Sequence, residues 1–439
     1  MKYPPRLVPF ERLMYFLDQP NYPNSLGIRL RLRGRLDRTA AIAAAEVAFA
    51  RHPGFQVTVD RQRIEFVDRQ EPFHNFRWIE RRTDDEPYRL EPTDVEQVGG
   101  GVFWFVVSPS QSDVALVGNH TLTDGVGGLQ VISDWLLEYD RRIGGGAAKL
   151  PRLDPERLPD RGRLNLLNRK FLGKLLFQPV ALFGASKFLF RRVAPLLPGV
   201  ETSDRPLADY PCIVTRTLPS DSFARIRSEA AVDGLTDNDM IVTAWFLALA
   251  RWRQRSMPQH DRDWIRLLVP LSIRTIADRR RTACNRVAFV QIDRQPRGMC
   301  DRRGLLTGIS RELGVIRRWQ LDRTLLLALR IASFVPGQIE RMARTARPRA
   351  TSFVTNLGTA FDRLPLKRTH QGLAVGGMDL TAIEMLTPLL RGMPAALAVA
   401  EFQGKWIASL NIDPRFLSLT QANQMLDDLQ SSLQDLANG

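Results

Sequence analysis

Residues 101–119 (GVFWFVVSPSQSDVALVGN) contain two apolar runs of strand length joined by a short Pro-Ser-Gln-Ser link at 109–112. So short a link joins only antiparallel strands, because a parallel pair needs a crossover of a dozen or more residues. The same spacing recurs at 55–68, where FQVTVD and RIEFVD read as a short hairpin. Hairpins like these are incompatible with a chain that regularly alternates strand and helix. They point to an α+β (mixed α/β) fold with largely antiparallel or mixed sheets.

The rest of the chain fits that frame. Phe10, Leu13, Met14 and Leu17 recur at helical spacing. Ile28, Leu30 and Leu32 alternate with Arg29, Arg31 and Arg33, which predicts a strand with one buried face and one basic face. Asp37 caps an Ala-rich helix that runs towards Arg51. Val126, Leu129, Ile132, Trp135 and Leu136 mark a helix that stops at glycines 144–146. Further on, Thr236 and Asp239 have the capping-box spacing, ahead of a segment from Met240 to Trp252 that is apolar nearly all round and so is expected to be buried. Strands are predicted at 213–218, 264–272 and 286–293, and helices between about 301 and 344. Four more strands are predicted at 351–358, 373–380, 396–403 and 405–412, then a closing helix from about Thr420.

At 439 residues the chain is long enough for two lobes. The expected division is an N-terminal lobe over 1–150, a crossover over 151–211 and a C-terminal lobe over 212–439. The crossover is rich in proline, and between Arg161 and Val200 it carries basic residues and no acid. The whole chain has 62 Lys and Arg against 47 Asp and Glu, a net charge of +15, which favours anionic partners. Basic residues interleaved with Leu and Phe over 161–200 suggest contact with an anionic membrane surface; a linker packed on the lobes is the plainer alternative. No nucleic-acid-binding module is present, so no nucleic-acid partner is expected. Three widely spaced cysteines, Cys212, Cys284 and Cys300, exclude a disulfide framework and a cysteine zinc site, and are compatible with the cytoplasm. The N-terminus lacks the apolar core of a signal peptide, and no run of about 18 apolar residues suggests a membrane span.

Chemistry concentrates at residues 117–128 (VGNHTLTDGVGG), where a strand ends and a helix begins. Histidine is the side chain whose ordinary pKa, about 6.5, suits base work near neutrality. Of the five histidines, His52 lies at a helix end beside Pro53, and His74, His260 and His370 lie in polar, loop-like surroundings. Only His120 combines a strand end, glycine turns and a nearby acid. Asp124 either pairs with His120, orienting the ring as in a catalytic triad, or turns away to bind an arginine and hold the loop. Gly125, Gly127 and Gly128 permit tight turning and the close approach of a ligand. No nucleophile elbow and no phosphate-binding loop occur. No second histidine stands three or four residues from His120, so no metal is expected.

The stretch NHTLTDG resembles the His-x-x-x-Asp-Gly signature of the condensation-domain superfamily of acyltransferases. That superfamily includes nonribosomal peptide condensation domains, wax ester synthase/diacylglycerol acyltransferases, polyketide-associated acyltransferases and the plant BAHD enzymes. Residues 9–37 followed by a helix and ARHPGF, GLTDNDMIVTAW, VPLSIR with Asn285 beyond it, and SFVTNLG are similar to the family's other segments in the same order, from about Pro9 to Leu436. The resemblance implies two chloramphenicol acetyltransferase-like lobes with a tunnel between them. It implies that His120 is the general base in direct transfer from a thioester to a hydroxyl or amine. It also implies that Asp124 faces away and pairs with Arg274, and that Gly125 makes room for the donor arm. Asn119 stands where a second histidine is frequent and is read as tolerated. Thr121, Asn285, Ser352, Thr355, Asn356 and Gly358 are the candidate tunnel residues. The Asp-Phe-Gly-Trp-Gly motif of the BAHD branch is absent.

On that resemblance no cofactor is permanently bound, and coenzyme A or a phosphopantetheine thioester is a co-substrate. The expected partners are acyl-CoA or an acyl carrier protein as donor, and a small-molecule, peptidyl or lipid acceptor. The expected enzyme is a free-standing monomer, cytoplasmic or peripheral at the inner membrane face. The alternative is a degenerate relative that binds an acyl thioester or lipid without turnover.

Overall fold

The computed structural model describes residues 3–68, 75–144, 149–163, 191–197, 211–229, 234–257, 263–344, 350–370 and 372–438. The first half contributes α1 (Pro9–Leu17), β1 (Ser25–Arg33), α2 (Arg38–Arg51), β2 (Val57–Asp60), β3 (Glu65–Asp68), β4 (Phe76–Glu80), β5 (Gly101–Val107), β6 (Gln111–Asn119) and α3 (Gly125–Ile143). Next come β7 (Cys212–Leu218), α4 (Ser220–Glu229), α5 (Asp237–Ser256), β8 (Ile265–Ser272), β9 (Val287–Arg294), α6 (Arg302–Trp319), α7 (Arg323–Ala332) and α8 (Gln338–Ala343). The chain closes with β10 (Ser352–Thr359), β11 (Arg368–Thr369), β12 (Gly372–Val375), β13 (Met378–Leu386), β14 (Ala395–Phe402), β15 (Lys405–Ile412) and α9 (Leu419–Ala437).

Two sheets organise the molecule. The first has the order β11-β12-β13-β1-β6-β5-β4 and the second β7-β15-β14-β10-β8-β9; β2 and β3 form a separate hairpin. Pairing is mostly antiparallel, with β4 parallel to β5 and β10 parallel to both β8 and β14. The buried faces of β1, β5 and β6 pack against α2 and α3, with Trp135 fully buried and its indole N–H donating to the Ala41 carbonyl at 3.1 Å. The second sheet packs against α4, α5, α6 and α9. α5 begins at Thr236 with the capping box its sequence predicts, and Met240–Leu249 are all buried. The two-lobed α+β expectation therefore holds.

Hydrogen bonding divides the chain differently from the boundary expected at residue 211. β11, β12 and β13 come from the second half, yet they complete the first sheet, β13 lying antiparallel to β1 from Gly27–Leu386 to Arg33–Asp379. A second difference explains the first. Residues 373–380 are read above as one strand, but Gly376 and Gly377 adopt φ +55° and +79° and fold the segment into the β12–β13 hairpin. A two-residue turn with positive φ at both positions favours glycine and matches the twist of paired strands. The turn is fixed to the first lobe, since the Gly376 N–H donates to Asp140 of α3 at 2.7 Å.

The described start of the crossover folds back on α1. Arg161 is buried and donates twice to Glu11, at 2.6 and 3.0 Å. Most of the basic stretch assigned to membrane contact, 164–190 and 198–200, lies outside the described residues. Among the described residues no helix is long and apolar enough to cross a membrane.

Candidate active site

β6 delivers His120 to the junction of the two sheets. Its last residue, Asn119, pairs with Ser25 of β1, and the main chain then leaves the sheet. Asn119 shapes that exit. Its side-chain oxygen accepts from the Thr121 N–H at 2.9 Å, and its amide donates to the Thr93 carbonyl at 2.9 Å and to Asp18 at 2.6 Å. The His120 N–H donates to the Asn24 carbonyl at 2.8 Å. On the other side the Asn285 amide donates to the carbonyls of His120 and Thr121, at 2.8 and 3.0 Å. The loop is thus held from both lobes, by Asn24 and Asn119 in the first and by Asn285 in the second.

The His120 ring is only 7% exposed. Burial lowers its pKa below the ordinary value, against the opposing pull of its own main chain, Asp124 and Asn285. The ring is therefore neutral near pH 7, as a base must be before it accepts a proton. Its Nδ1 is buried and makes no hydrogen bond of normal geometry.

Asp124 has a different task. It is the N-cap of α3 and accepts from the Gly127 N–H at 2.8 Å. Arg274 grips it in bidentate fashion, at 2.7 and 2.8 Å, and the Arg286 N–H adds a further bond at 2.8 Å. Burial raises its pKa, but the Arg274 charge and these bonds outweigh burial and hold the carboxyl below the usual carboxylate range. Four hydrogen bonds use its accepting capacity, and none comes from His120. Of the two roles open in the sequence, the geometry is that of the arginine-bound loop anchor. Arg274 also donates to the Cys284 carbonyl at 2.9 Å, so one guanidinium ties β8, the 281–286 loop and the start of α3 together.

His120 opens on a partly open cleft between the sheets. Its walls are mainly apolar: Leu26 and Ile28 of β1, Val287, Phe353, Met385 and Leu386. Thr355, Asn356 and Ser272 supply polar groups, and Gly125 forms part of the floor. A Cβ on Gly125 would lie 2.7 Å from a Leu357 methyl, so the space beside this glycine is taken by a leucine of the second lobe. The remaining tunnel candidates are placed elsewhere. Ser352 is buried, accepts from the Trp245 indole and donates to the Ala395 carbonyl, which makes it a strut between α5 and β14. Gly358 adopts φ +70° in a turn closed by the Asn356 side chain at 2.8 Å. Thr121 and Asn285 belong to the loop's scaffold and do not line this cleft.

A second, wider cleft lies on the other side of the loop. Asp18, Thr93, Asp94, Glu96, Glu340 and Arg344 are among its lining residues. Asp18 and Thr93 are the partners of Asn119, so the His120 loop stands between the two openings. Burial raises the Asp18 carboxyl to about 6. Sequence reading missed Asp18, just past α1, and Asn24, just before β1, because neither carries a signal beyond its position.

His52 proves to be structural. It is fully buried, its Nδ1 accepts from the Ala283 N–H at 3.0 Å, and its Nε2 lies 3.1 Å from Asp134. Accepting at Nδ1 fixes the neutral tautomer with the proton on Nε2. Cys284 is also buried, which pushes its thiol up to about 11 and leaves it unsuited to nucleophilic work. Among the described residues no group of His, Cys, Asp and Glu is arranged to hold a metal ion.

A scan against protein-family models and a search of curated proteins find no match to this sequence. Solved structures do match. The first condensation domain of the CDA synthetase superposes with a TM-score of 0.69 at 12% identity, covering 98% of this chain and 96% of that one. The SgcC5 protein from Streptomyces globisporus gives 0.66 at 13% identity over 99% of both chains. The epimerization domain from the third module of tyrocidine synthetase B gives 0.64 at 12% identity, over 100% of this chain and 98% of that one. Agreement over whole chains at such low identity is agreement of architecture, and the chain has the condensation-domain fold.

Proposed function

We propose that this protein is an acyltransferase that moves an acyl group from a thioester directly to a hydroxyl or amine, with His120 as general base. One observation carries the reading: a buried, neutral histidine faces the interlobe cleft, while the nearby aspartate is fully engaged by Arg274. His120 takes the proton of the acceptor O–H or N–H as that atom attacks the thioester carbonyl. The tetrahedral adduct collapses, the C–S bond breaks, and the imidazolium returns the proton to the departing sulfur. The products are an ester or amide and a free thiol. A thioester is already activated, so the protein's part is to position the acceptor and move one proton.

The cleft's apolar walls suit an acyl chain or the aliphatic part of a pantetheine arm. The net charge of +15 suits the phosphates of coenzyme A or an acidic carrier protein. SgcC5 was solved with an aromatic 1,2-ethanediol, which supports including alcohols among the acceptors tested.

The test is incubation with acyl-CoA or acyl-carrier protein and a panel of alcohols and amines. Free thiol should appear only when an acceptor is present. His120→Ala should lower the rate by about a hundred- to ten-thousand-fold while leaving the melting temperature near that of the parent. An acyl group trapped on a Ser or Cys in a quenched reaction would overturn direct transfer. Tight thioester binding without turnover across the panel would identify a degenerate binding protein.

A further inference from the structure

α7 buries one side and leaves another uncovered. Leu326 and Leu329 pack in a cluster with Phe10, Leu13 and Met14 of α1 and Ile339 of α8. Past its end at Ala332 the chain continues in tight turns, as Ser333 bonds back to the Leu329 carbonyl at 2.9 Å, Phe334 to Ile331 at 3.1 Å and Val335 to Ala332 at 3.1 Å. These turns bring Ile331, at the end of α7, together with Phe334 and Val335 at one apex. They are 61%, 80% and 51% exposed. Exposed Pro336 follows, and Gly337, at φ +72°, turns the chain into α8. Single exposed apolar residues are ordinary, but three neighbours at one apex are not.

The segments on either side of the apex carry an excess of arginine. Residues 321–344 contain Arg323, Arg330, Arg341 and Arg344 against Asp322 and Glu340, and Glu340 is already bonded to Arg344 at 2.8 Å. Arg330 and Arg341 are exposed. We propose that the α7–α8 apex is an interfacial anchor that seats the protein on an anionic lipid bilayer. Phe334, Ile331 and Val335 would enter the boundary between headgroups and acyl chains, and the arginines would meet lipid phosphates. A bilayer fits better than a protein partner. A stable protein interface buries about 800 Å² per partner around a central pocket, whereas this is a protruding tip of three side chains.

The position has a consequence for the reaction. Glu340 of α8 and Arg344 just beyond it also line the wide cleft beside the His120 loop. On the acyl-transfer reading, which this consequence alone rests on, docking brings that cleft to the bilayer and favours a lipidic substrate. Binding itself is independent of that reading.

The test uses the full chain in flotation with phosphatidylcholine vesicles, with and without phosphatidylglycerol. The protein should float with the anionic vesicles and release as salt rises. Ile331→Ser/Phe334→Ser/Val335→Ser should lose flotation at every salt concentration while keeping the parent's melting temperature, since all three side chains are exposed. Arg330→Gln/Arg341→Gln should bind about thirtyfold more weakly at low salt. Phe334→Trp should gain a fluorescence blue shift when anionic vesicles are added. Absent flotation, or flotation unchanged in the triple serine variant, would overturn the anchor. So would a concentration-dependent dimer that the triple variant abolishes, because the occupant would then be a second copy of this chain. An inactive enzyme whose wild-type form floats and whose triple variant does not would leave the anchor standing and the acyl-transfer reading refuted.

Discussion

Arg274→Ala strands the Asp124 carboxylate, and the structure sets the size of the effect. The wild-type carboxylate accepts four hydrogen bonds, two of them from Arg274. The variant keeps only the Gly127 and Arg286 N–H groups around a side chain that is 5% exposed. Breaking a buried pair by removing one partner costs about 3–5 kcal/mol. The two remaining N–H donors and the 20% exposure of Arg274 place this case at the lower end, about 3 kcal/mol. Unfolding entropy near 2.1 cal/mol/K per residue gives roughly 0.9 kcal/mol/K for 439 residues, so cooperative unfolding predicts a drop of about 3 °C.

Arg274→Lys, with one donor nitrogen in place of two, should fall between. Asp124→Asn keeps a helix-capping oxygen and loses the charge. Combined with Arg274→Ala it should lose clearly less than the sum of the single changes, because the first change has already removed the interaction. The folded pKa of Asp124 lies below its unfolded value. Its contribution is therefore complete above the ordinary aspartate pKa of about 3.9 and fades as pH falls through the folded value. The gap between wild type and Arg274→Ala should be widest near pH 7 and shrink below about pH 4. Additive losses in the double-mutant cycle, or a gap that ignores pH, would refute the pairing.

For His120, whose pKa burial lowers, the rate should climb with pH and pass its half-maximum below the ordinary histidine value of about 6.5; a half-maximum above that value would contradict a buried neutral base. Asp18 is raised to about 6, so the stability associated with its protonated form is present below about 3.9 and lost as pH rises through 6. Melting curves of wild type minus Asp18→Asn should show that fall between pH 4 and 6, and a flat difference would place Asp18 in water. Gly125→Ala puts a methyl where Leu357 now lies, so KM for the thioester should rise while the melting temperature stays close to the parent's; adding Leu357→Ala should restore KM.

The order of elements was legible because local chemistry decided it. Asp37, Thr236 and Asp239 cap helices in the structure as their spacing requires, and Gly144 ends α3 in the left-handed conformation. The destination of β13 was not legible. No local pattern in MDLTAIEML distinguishes a partner in the first sheet from one in the second, and its residues alternate between buried and half-exposed in a way that suits either. What sends it to β1 is the Gly376–Gly377 turn, anchored on Asp140, which lies 236 positions earlier in the chain. Long-range pairing of this kind is set by turn geometry and by which face finds a core, neither of which a strand's own sequence contains.

The candidate site divides along the same line. His120, Asp124 and Gly125 fall within six residues at a strand–helix junction, so a single short stretch of sequence displays them together. The cleft walls were not visible, because Leu26, Ile28, Val287, Phe353 and Met385 are indistinguishable in sequence from the core residues beside them. Ser352 stands away from this cleft for a related reason. A buried hydroxyl needs partners wherever it sits, and here the partners are the Trp245 indole and the Ala395 carbonyl. Asn119 shows the opposite case, in which a departure from the resembled pattern has a physical account. A side-chain amide can donate to Asp18 and Thr93 and accept from Thr121 at once. A single imidazole, with two ring nitrogens, cannot make all three of these contacts. At this position asparagine therefore fixes the exit from β6 more completely than a histidine could, and His120 begins from a more rigid base.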